Sequence, residues 1–276
     1  MPHFLAMASP FTEDTALRVL GDGSYGAELA RHWWVARGPH GGYLAALILR
    51  ALTAELDDAS RPVRSLTIHF TSPSQEGSIE ISCAIERKGK RMSFVSARVT
   101  QEGKLVALAL ATFSMASDGL AYEDAAMPEV GTPEEGLPVA ANPQVPPFVK
   151  NFDMRWSFGD APFSGSKKAS LGGWIRLAAP EIADAPLIAT YMDAWAPAVL
   201  PVATELYVCP TIDLTIHFRS DFPLEDATES DYYLGRFSTS LARDGFFEED
   251  GELWAADGRL IAQSRQLALT IPYTPS

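Results

Sequence analysis

The sequence is short of cysteine, of basic charge and of unbroken apolar stretches. Its 276 residues hold two cysteines, Cys83 and Cys209, far apart and in no Cys-x-x-Cys spacing. That excludes a disulfide scaffold or a zinc ribbon and fits a reducing, cytoplasmic setting. Lysine and arginine number 22 against 35 acids, a formal charge of −13, so nucleic acid is repelled unless a local basic face overrides the total. No run approaches the ~20 apolar residues of a membrane span. The segment Met1-Pro2-His3-Phe4 has neither the basic nor the apolar region of a secretory signal. Histidine is scarce as well, and positions 3, 32, 40, 69 and 217 place no two at metal-ligand spacing on one element. No catalytic metal is therefore expected. Phosphate-loop, H-E-x-x-H and G-x-S-x-G motifs are all missing.

What the chain does have is a repeat. Leu66-Thr67-Ile68-His69-Phe70 returns letter for letter as Leu214-Thr215-Ile216-His217-Phe218, 148 residues on. Gly103-Lys104-Leu105-Val106-Ala107 matches Gly258-Arg259-Leu260-Ile261-Ala262 in type and order at an offset of 155, which implies a longer hairpin in the second half. Two units follow, 1–115 and 149–276, joined by residues 116–148. That joining stretch carries six prolines and reads equally as a linker or as an ordered surface loop.

Both units present the same elements in the same order. Apolar residues at helical spacing predict a buried helix over about 41–56, followed by strands at 63–72, 77–88, 91–101 and 104–114. The second unit predicts a helix near 185–196, stopped by Pro197, then strands near 211–220, 231–242, 245–256 and 259–271. Strands in runs after a helix mean α+β, with two antiparallel sheets each wrapped around a buried helix and paired edge to edge.

Several polar positions stand out against this frame. Gly21-Asp22-Gly23-Ser24-Tyr25-Gly26 fits G-x-G-x-x-G, yet a strand-like run follows where a dinucleotide site needs a helix, so it reads as a turn. Arg37-Gly38-Pro39-His40-Gly41-Gly42-Tyr43 opens the first helix, where free N–H groups and the dipole suit an anion or a carbonyl oxygen. Tight packing would explain its glycines equally well. Asp193 is an acid near the end of an otherwise apolar helix, costly unless hydrogen-bonded or used. The first helix has only apolar residues there. Gln266 falls opposite Ala111 of the other unit, and Thr211 opens the strand bearing the second LTIHF. For each of these three, a merely exposed polar residue is the plain alternative. His69 and His217 occupy equivalent strand positions, which favours a shared structural role.

Trp33-Trp34 through Tyr43, the Arg87-Lys88-Gly89-Lys90-Arg91 hairpin, Gln101-Glu102-Gly103, and Thr211-Ile212-Asp213 with Gln266 together resemble double-hotdog acyl-CoA thioesterases of the TesB-like group. The resemblance runs from about residue 11 to 271. It implies an Asp, Thr and Gln set holding the hydrolytic water, on Asp193, Thr211 and Gln266. It also implies acyl-CoA as substrate with no separate cofactor, and Asp193 as the base. Backbone amides near Gly41 and Gly42, beside His40, would receive the oxyanion, and Arg87, Lys88, Lys90 and Arg91 would meet the CoA phosphates unless they are a solvated hairpin tip. The residue after Thr-Ile-Asp is Leu214, where the family often has His, a departure that bears on the pocket and the substrate. A hotdog hydratase or dehydratase is the first alternative; it needs a His and an Asp at the loop entering the helix, and His40 has no acid nearby in sequence. A non-catalytic acyl-thioester binder is the second, and it has no need to keep Asp193, Thr211 and Gln266 together. Two hotdogs in one chain already supply the usual pair, and further assembly into a homo-oligomer, such as a dimer, stays open.

Overall fold

The computed structural model describes residues 10–35, 38–139 and 145–273. The first half contains a short helix α1 (Pro10–Asp14), strands β1 (Arg18–Gly21) and β2 (Ser24–Leu29), the long helix α2 (Gly41–Leu56), and strands β3 (Val63–Phe70), β4 (Gly77–Lys88), β5 (Met92–Gln101) and β6 (Lys104–Ser114). The second half contains β7 (Leu137–Pro138), β8 (Phe152–Gly159), β9 (Ser170–Leu177), helix α3 (Ala185–Tyr191), β10 (Thr211–Phe218), β11 (Tyr233–Ser238), β12 (Ala242–Arg243), β13 (Phe246–Ala255) and β14 (Leu260–Leu269).

Among the described residues these 14 strands form one sheet, in the order β1-β2-β4-β5-β6-β3-β10-β14-β13-β11-β9-β8-β7 with β12 beside β13. The edge-to-edge pairing expected of the two sheets thus makes them one continuous sheet. The repeated pentapeptide is the seam: Leu66 pairs with Ile216, Thr67 with Thr215 and Ile68 with Leu214, antiparallel. The Thr67 and Thr215 hydroxyls meet at 3.0 Å, where a two-fold relation between the halves would place identical residues opposite each other. Each repeat strand closes the other's open edge, and an unpaired central edge would invite aggregation.

Helix α2 packs against β3, β4, β5, β6 and α3. Tyr43 and the stretch Ala45 to Leu49 are fully buried, as are Ala51 and Leu52, which is why the run is apolar nearly all round. Each buried Leu or Ile contributes about 1.5–3 kcal/mol. Its ends are defined: the His40 ring accepts the Tyr43 N–H at 3.2 Å, and Asp57 closes the helix in the left-handed region at φ 45°. The one basic residue of α2, Arg50, reaches Asp184 at 3.1 Å, and Asp184 in turn caps α3 through Leu187 N–H.

The tryptophans divide by location. Trp33 is core, stacked on Tyr43 at 5.2 Å with its Nε1 donating to Asp14. Trp174 and Trp254 form a separate cluster with Leu234, against which Met127 and Val130 of the Pro-rich segment pack. Trp174 Nε1 donates to Gly131 O, and Leu137–Pro138 pairs with β8, so residues 127–138 of that segment lie along the sheet. Residues 140–144 of that segment are outside the described residues. Gly21-Asp22-Gly23 is a left-handed turn between two strands, at φ 98°, 50° and 71°, which leaves no place for a dinucleotide fingerprint.

Candidate active site

Asp193 is the meeting point of the two halves. The helix that precedes it ends at Tyr191, five residues sooner than the sequence suggests, and Asp193 stands just beyond in a tightened turn with its N–H on Thr190 O. Pro197 disfavours helical backbone at Ala196, and Asp193 is itself committed elsewhere. Its Oδ2 accepts the Gly42 N–H at 2.7 Å, so a carboxylate from the second half caps the positive end of the first half's helix. Its carbonyl accepts from His40 Nε2 at 2.7 Å, and His40 Nε2 lies 3.3 Å from Oδ2. Burial raises the Asp193 pKa above the usual carboxylate range, while His40 and the Gly42 amide pull it back.

The glycines are there because nothing larger fits. A Cβ on Gly41 would stand 2.7 Å from Asp193 Oδ2, and one on Gly42 would stand 2.7 Å from Thr190 O. His40 is buried, stacked on Phe148 at 4.3 Å, and burial lowers its pKa. Here the fold corrects a sequence argument: His40, without an acid nearby in sequence, does meet one in space. Both ring nitrogens are nevertheless engaged, Nδ1 by Tyr43 N–H and Nε2 by Asp193 O, so the ring holds the turn and has no free position for proton transfer to a ligand. The Gly42 N–H, expected as an oxyanion donor, is likewise committed to Asp193.

A second chain of hydrogen bonds crosses the sheet. Thr211 Oγ1 donates to Gln266 Oε1 at 2.8 Å, and Gln266 Nε2 donates to Glu249 Oε1 at 2.6 Å. Glu249 Oε2 accepts the Ala198 N–H at 2.5 Å. Gln266 and Glu249 are directly opposed on β14 and β13, and both are buried. Burial pushes the Glu249 carboxyl up to about 7, and the nearby Asp193 and Asp250 charges add to the shift. Glu249 thus hydrogen-bonds to Gln266 and also feels the Asp193 charge.

The sequence reading missed Glu249, although two signals carry it. Phe247, Glu249, Gly251 and Leu253 alternate on the buried face of β13. In register, Leu66 faces Ala111 and Ala111 faces Val95, whereas Leu214 faces Gln266 and Gln266 faces Glu249. The repeat thus replaces an Ala–Val pair by a Gln–Glu pair. Cys209 lies within the field of Glu249, and burial pushes its thiol up to about 12, which removes it as a nucleophile near neutral pH.

The basic hairpin is elsewhere. Arg87, Lys88, Lys90 and Arg91 are exposed, Lys88 Nζ lies 3.5 Å from Leu56 O, and Arg61 binds the Gly89 and Lys90 carbonyls. Leu56 is the last residue of α2, so the hairpin sits by the far end of that helix, about 21 Å from Gly42 at 1.5 Å per residue. Arg37 lies outside the described residues.

Family models match both halves: the acyl-CoA thioesterase N-terminal domain over residues 30–114 and the C-terminal domain over residues 123–270. The chain belongs to the acyl-CoA thioesterase family. No curated protein matches it in sequence. Solved structures share its hotdog fold. A conserved protein of unknown function with a hotdog fold from Alicyclobacillus acidocaldarius has a TM-score of 0.89 at 23% identity, covering 97% of this chain and 100% of that one. Acyl-CoA thioesterase II TesB2 of Mycobacterium marinum has a TM-score of 0.76 at 20% identity, over 96% and 99% of the two chains. A tesB protein of Mycobacterium avium subsp. paratuberculosis has a TM-score of 0.79 at 17% identity, over 95% and 98%. Among the described residues no helix is long and apolar enough to cross a membrane.

Proposed function

We propose that this protein hydrolyses acyl-CoA to the free acid and CoA, with Asp193 as the base. The observation that carries the reading is the placement of Asp193, a largely buried carboxylate of raised pKa against the N-terminus of α2. A thioester carbon is already electrophilic, so its hydrolysis needs a positioned water, a base and a donor for the oxyanion. In this reading the water donates one hydrogen bond to Asp193 and the other to the Thr211 oxygen, whose own hydroxyl donates to Gln266 Oε1. The water's lone pair then faces the carbonyl carbon.

Attack forms the carbon–oxygen bond as Asp193 takes the proton. The Gly41 N–H, at the first turn of α2 where amides have no helical acceptor, receives the oxyanion. The intermediate collapses with loss of the carbon–sulfur bond, and the CoA thiolate recovers the proton from Asp193. His40 and the Gly42 N–H hold Asp193 in place. The test is thiol release from short, medium, long and aryl acyl-CoAs, with binding measured in parallel. Release from at least one class supports hydrolysis; saturable binding without release makes the protein an acyl-thioester binder.

A further inference from the structure

We infer that Glu249 is a positioning residue, whose carboxylate fixes the orientation of the Gln266 carboxamide and thereby the direction in which Thr211 gives its hydroxyl proton. The inference rests on the thioesterase reading and deepens it. Both Glu249 oxygens are spent on fixed donors, Ala198 N–H and Gln266 Nε2, so the carboxylate is held from two sides. Core packing does not call for an acid there, since the equivalent position in the first half is Val95 facing Ala111. Glu249 makes no ion pair among the described residues. A buried unpaired acid costs stability unless it is used.

Its use follows from the donor and acceptor inventory. An ionised carboxylate only accepts, so Gln266 must turn its N–H toward Glu249 and its Oε1 toward Thr211. Thr211 then donates to Gln266, and its oxygen is left to accept from water. A protonated Glu249 donates instead. The carboxamide then reverses, its N–H faces Thr211, and the Thr211 proton points at the water's lone pair, the one needed for attack. The groups around Glu249 are Asp193 in the turn after α3 and Asp250 beside it on its own strand, whose charges raise its carboxyl, and Cys209 in the segment before β10, whose thiol Glu249 raises in turn. Burial with these neighbours places the exchange near neutral pH.

The experiment compares wild type, Glu249→Gln and Glu249→Asp. In Glu249→Gln the single oxygen is required by Ala198 N–H, so the new amide nitrogen faces Gln266 and imposes the reversed arrangement at every pH. The expected result is a kcat lower by about 10- to 100-fold with KM within about twofold. The acidic limb of the pH profile then shows one ionisation where wild type shows two. Glu249→Asp restores part of kcat and the second ionisation. The side-chain ¹⁵N amide signal of Gln266, assigned by its loss in Gln266→Leu, titrates near neutrality in wild type and is flat in Glu249→Gln. This readout needs neither substrate nor turnover: a titrating amide in a protein inactive on every acyl-CoA upholds the coupling and sinks the thioesterase reading. A Glu249→Gln variant with wild-type kcat and pH profile, a loss confined to KM, or an untitrating Gln266 amide in wild type overturns the inference.

Discussion

Replacing Gly42 by alanine should part the two helices on which the site is assembled. The new Cβ would stand 2.7 Å from Thr190 O, 2.8 Å from His40 Cε1 and 2.9 Å from Thr190 Cα. Two of these are backbone atoms of α3, and the same contact carries the Thr190 hydroxyl bond to Gly42 O at 3.1 Å. Ordinary carbon contacts begin near about 3.5 Å, so α3 must retreat by roughly 0.6–0.8 Å. Overfilling a packed core costs about 1–3 kcal/mol, and loosening the charged hydrogen bond from Gly42 N–H to Asp193 adds about 1.5–3 kcal/mol. At about 2–4 °C per kcal/mol for a chain of this size, a loss of about 2.5–6 kcal/mol lowers Tm by roughly 5–24 °C. Gly41→Ala meets a different partner, the Asp193 carboxylate at 2.7 Å, and displaces a side chain instead of a helix. It should lose about 100-fold in kcat/KM with a smaller change in Tm. Scanning calorimetry beside thiol release reads both. A Gly42→Ala protein melting within a degree of wild type, or a Gly41→Ala protein of unchanged kcat/KM, would refute the reasoning.

Glu249 should also write itself into stability. Its carboxyl rises from 4.5 to about 7 on folding, so the folded chain keeps a proton that the unfolded chain has lost. That contribution is present below about pH 4.5 and disappears as pH rises through 7, a change of roughly 3 kcal/mol. Urea denaturation should therefore show Glu249→Gln gaining on wild type by that amount between pH 4.5 and 8; a constant difference would mean Glu249 does not titrate in the fold. Charge reversal at the hairpin, Lys90→Glu with Arg91→Glu, should leave KM for acyl-CoA unchanged, because those cations sit by the far end of α2. A several-fold rise in KM would bring the substrate's phosphates back to that loop.

Much of this architecture is legible in the sequence because it rests on local patterning. The helix at Gly41–Leu56 and the strands of both meanders show in apolar periodicity, and the LTIHF repeat names the strands that join the halves. What escapes is set by contacts across the two-fold. The end of α3 depends on Asp193 being drawn to Gly42, 151 residues away, which no window around Asp193 contains. His40 lacks an acid in sequence for the same reason. The Gly42 amide looks free until its partner arrives from the other half. Glu249 differs: strand parity and the repeat both mark it, but its neighbours Glu248 and Asp250 make it resemble a solvated acidic run. Residues 127–138 of the Pro-rich segment pack on Trp174 and β8, partners that its own composition does not reveal.

The central claim is that Asp193 takes the proton of the attacking water, and Asp193→Asn tests it most directly. Asparagine keeps an oxygen for the Gly42 N–H and the carbonyl that His40 binds, so the turn survives while the base is removed. Steady-state thiol release from the best acyl-CoA substrate, measured on protein shown by circular dichroism to be folded, should fall by about 100-fold or more in kcat with KM little changed. An asparagine variant that hydrolyses acyl-CoA at the wild-type rate would contradict the account.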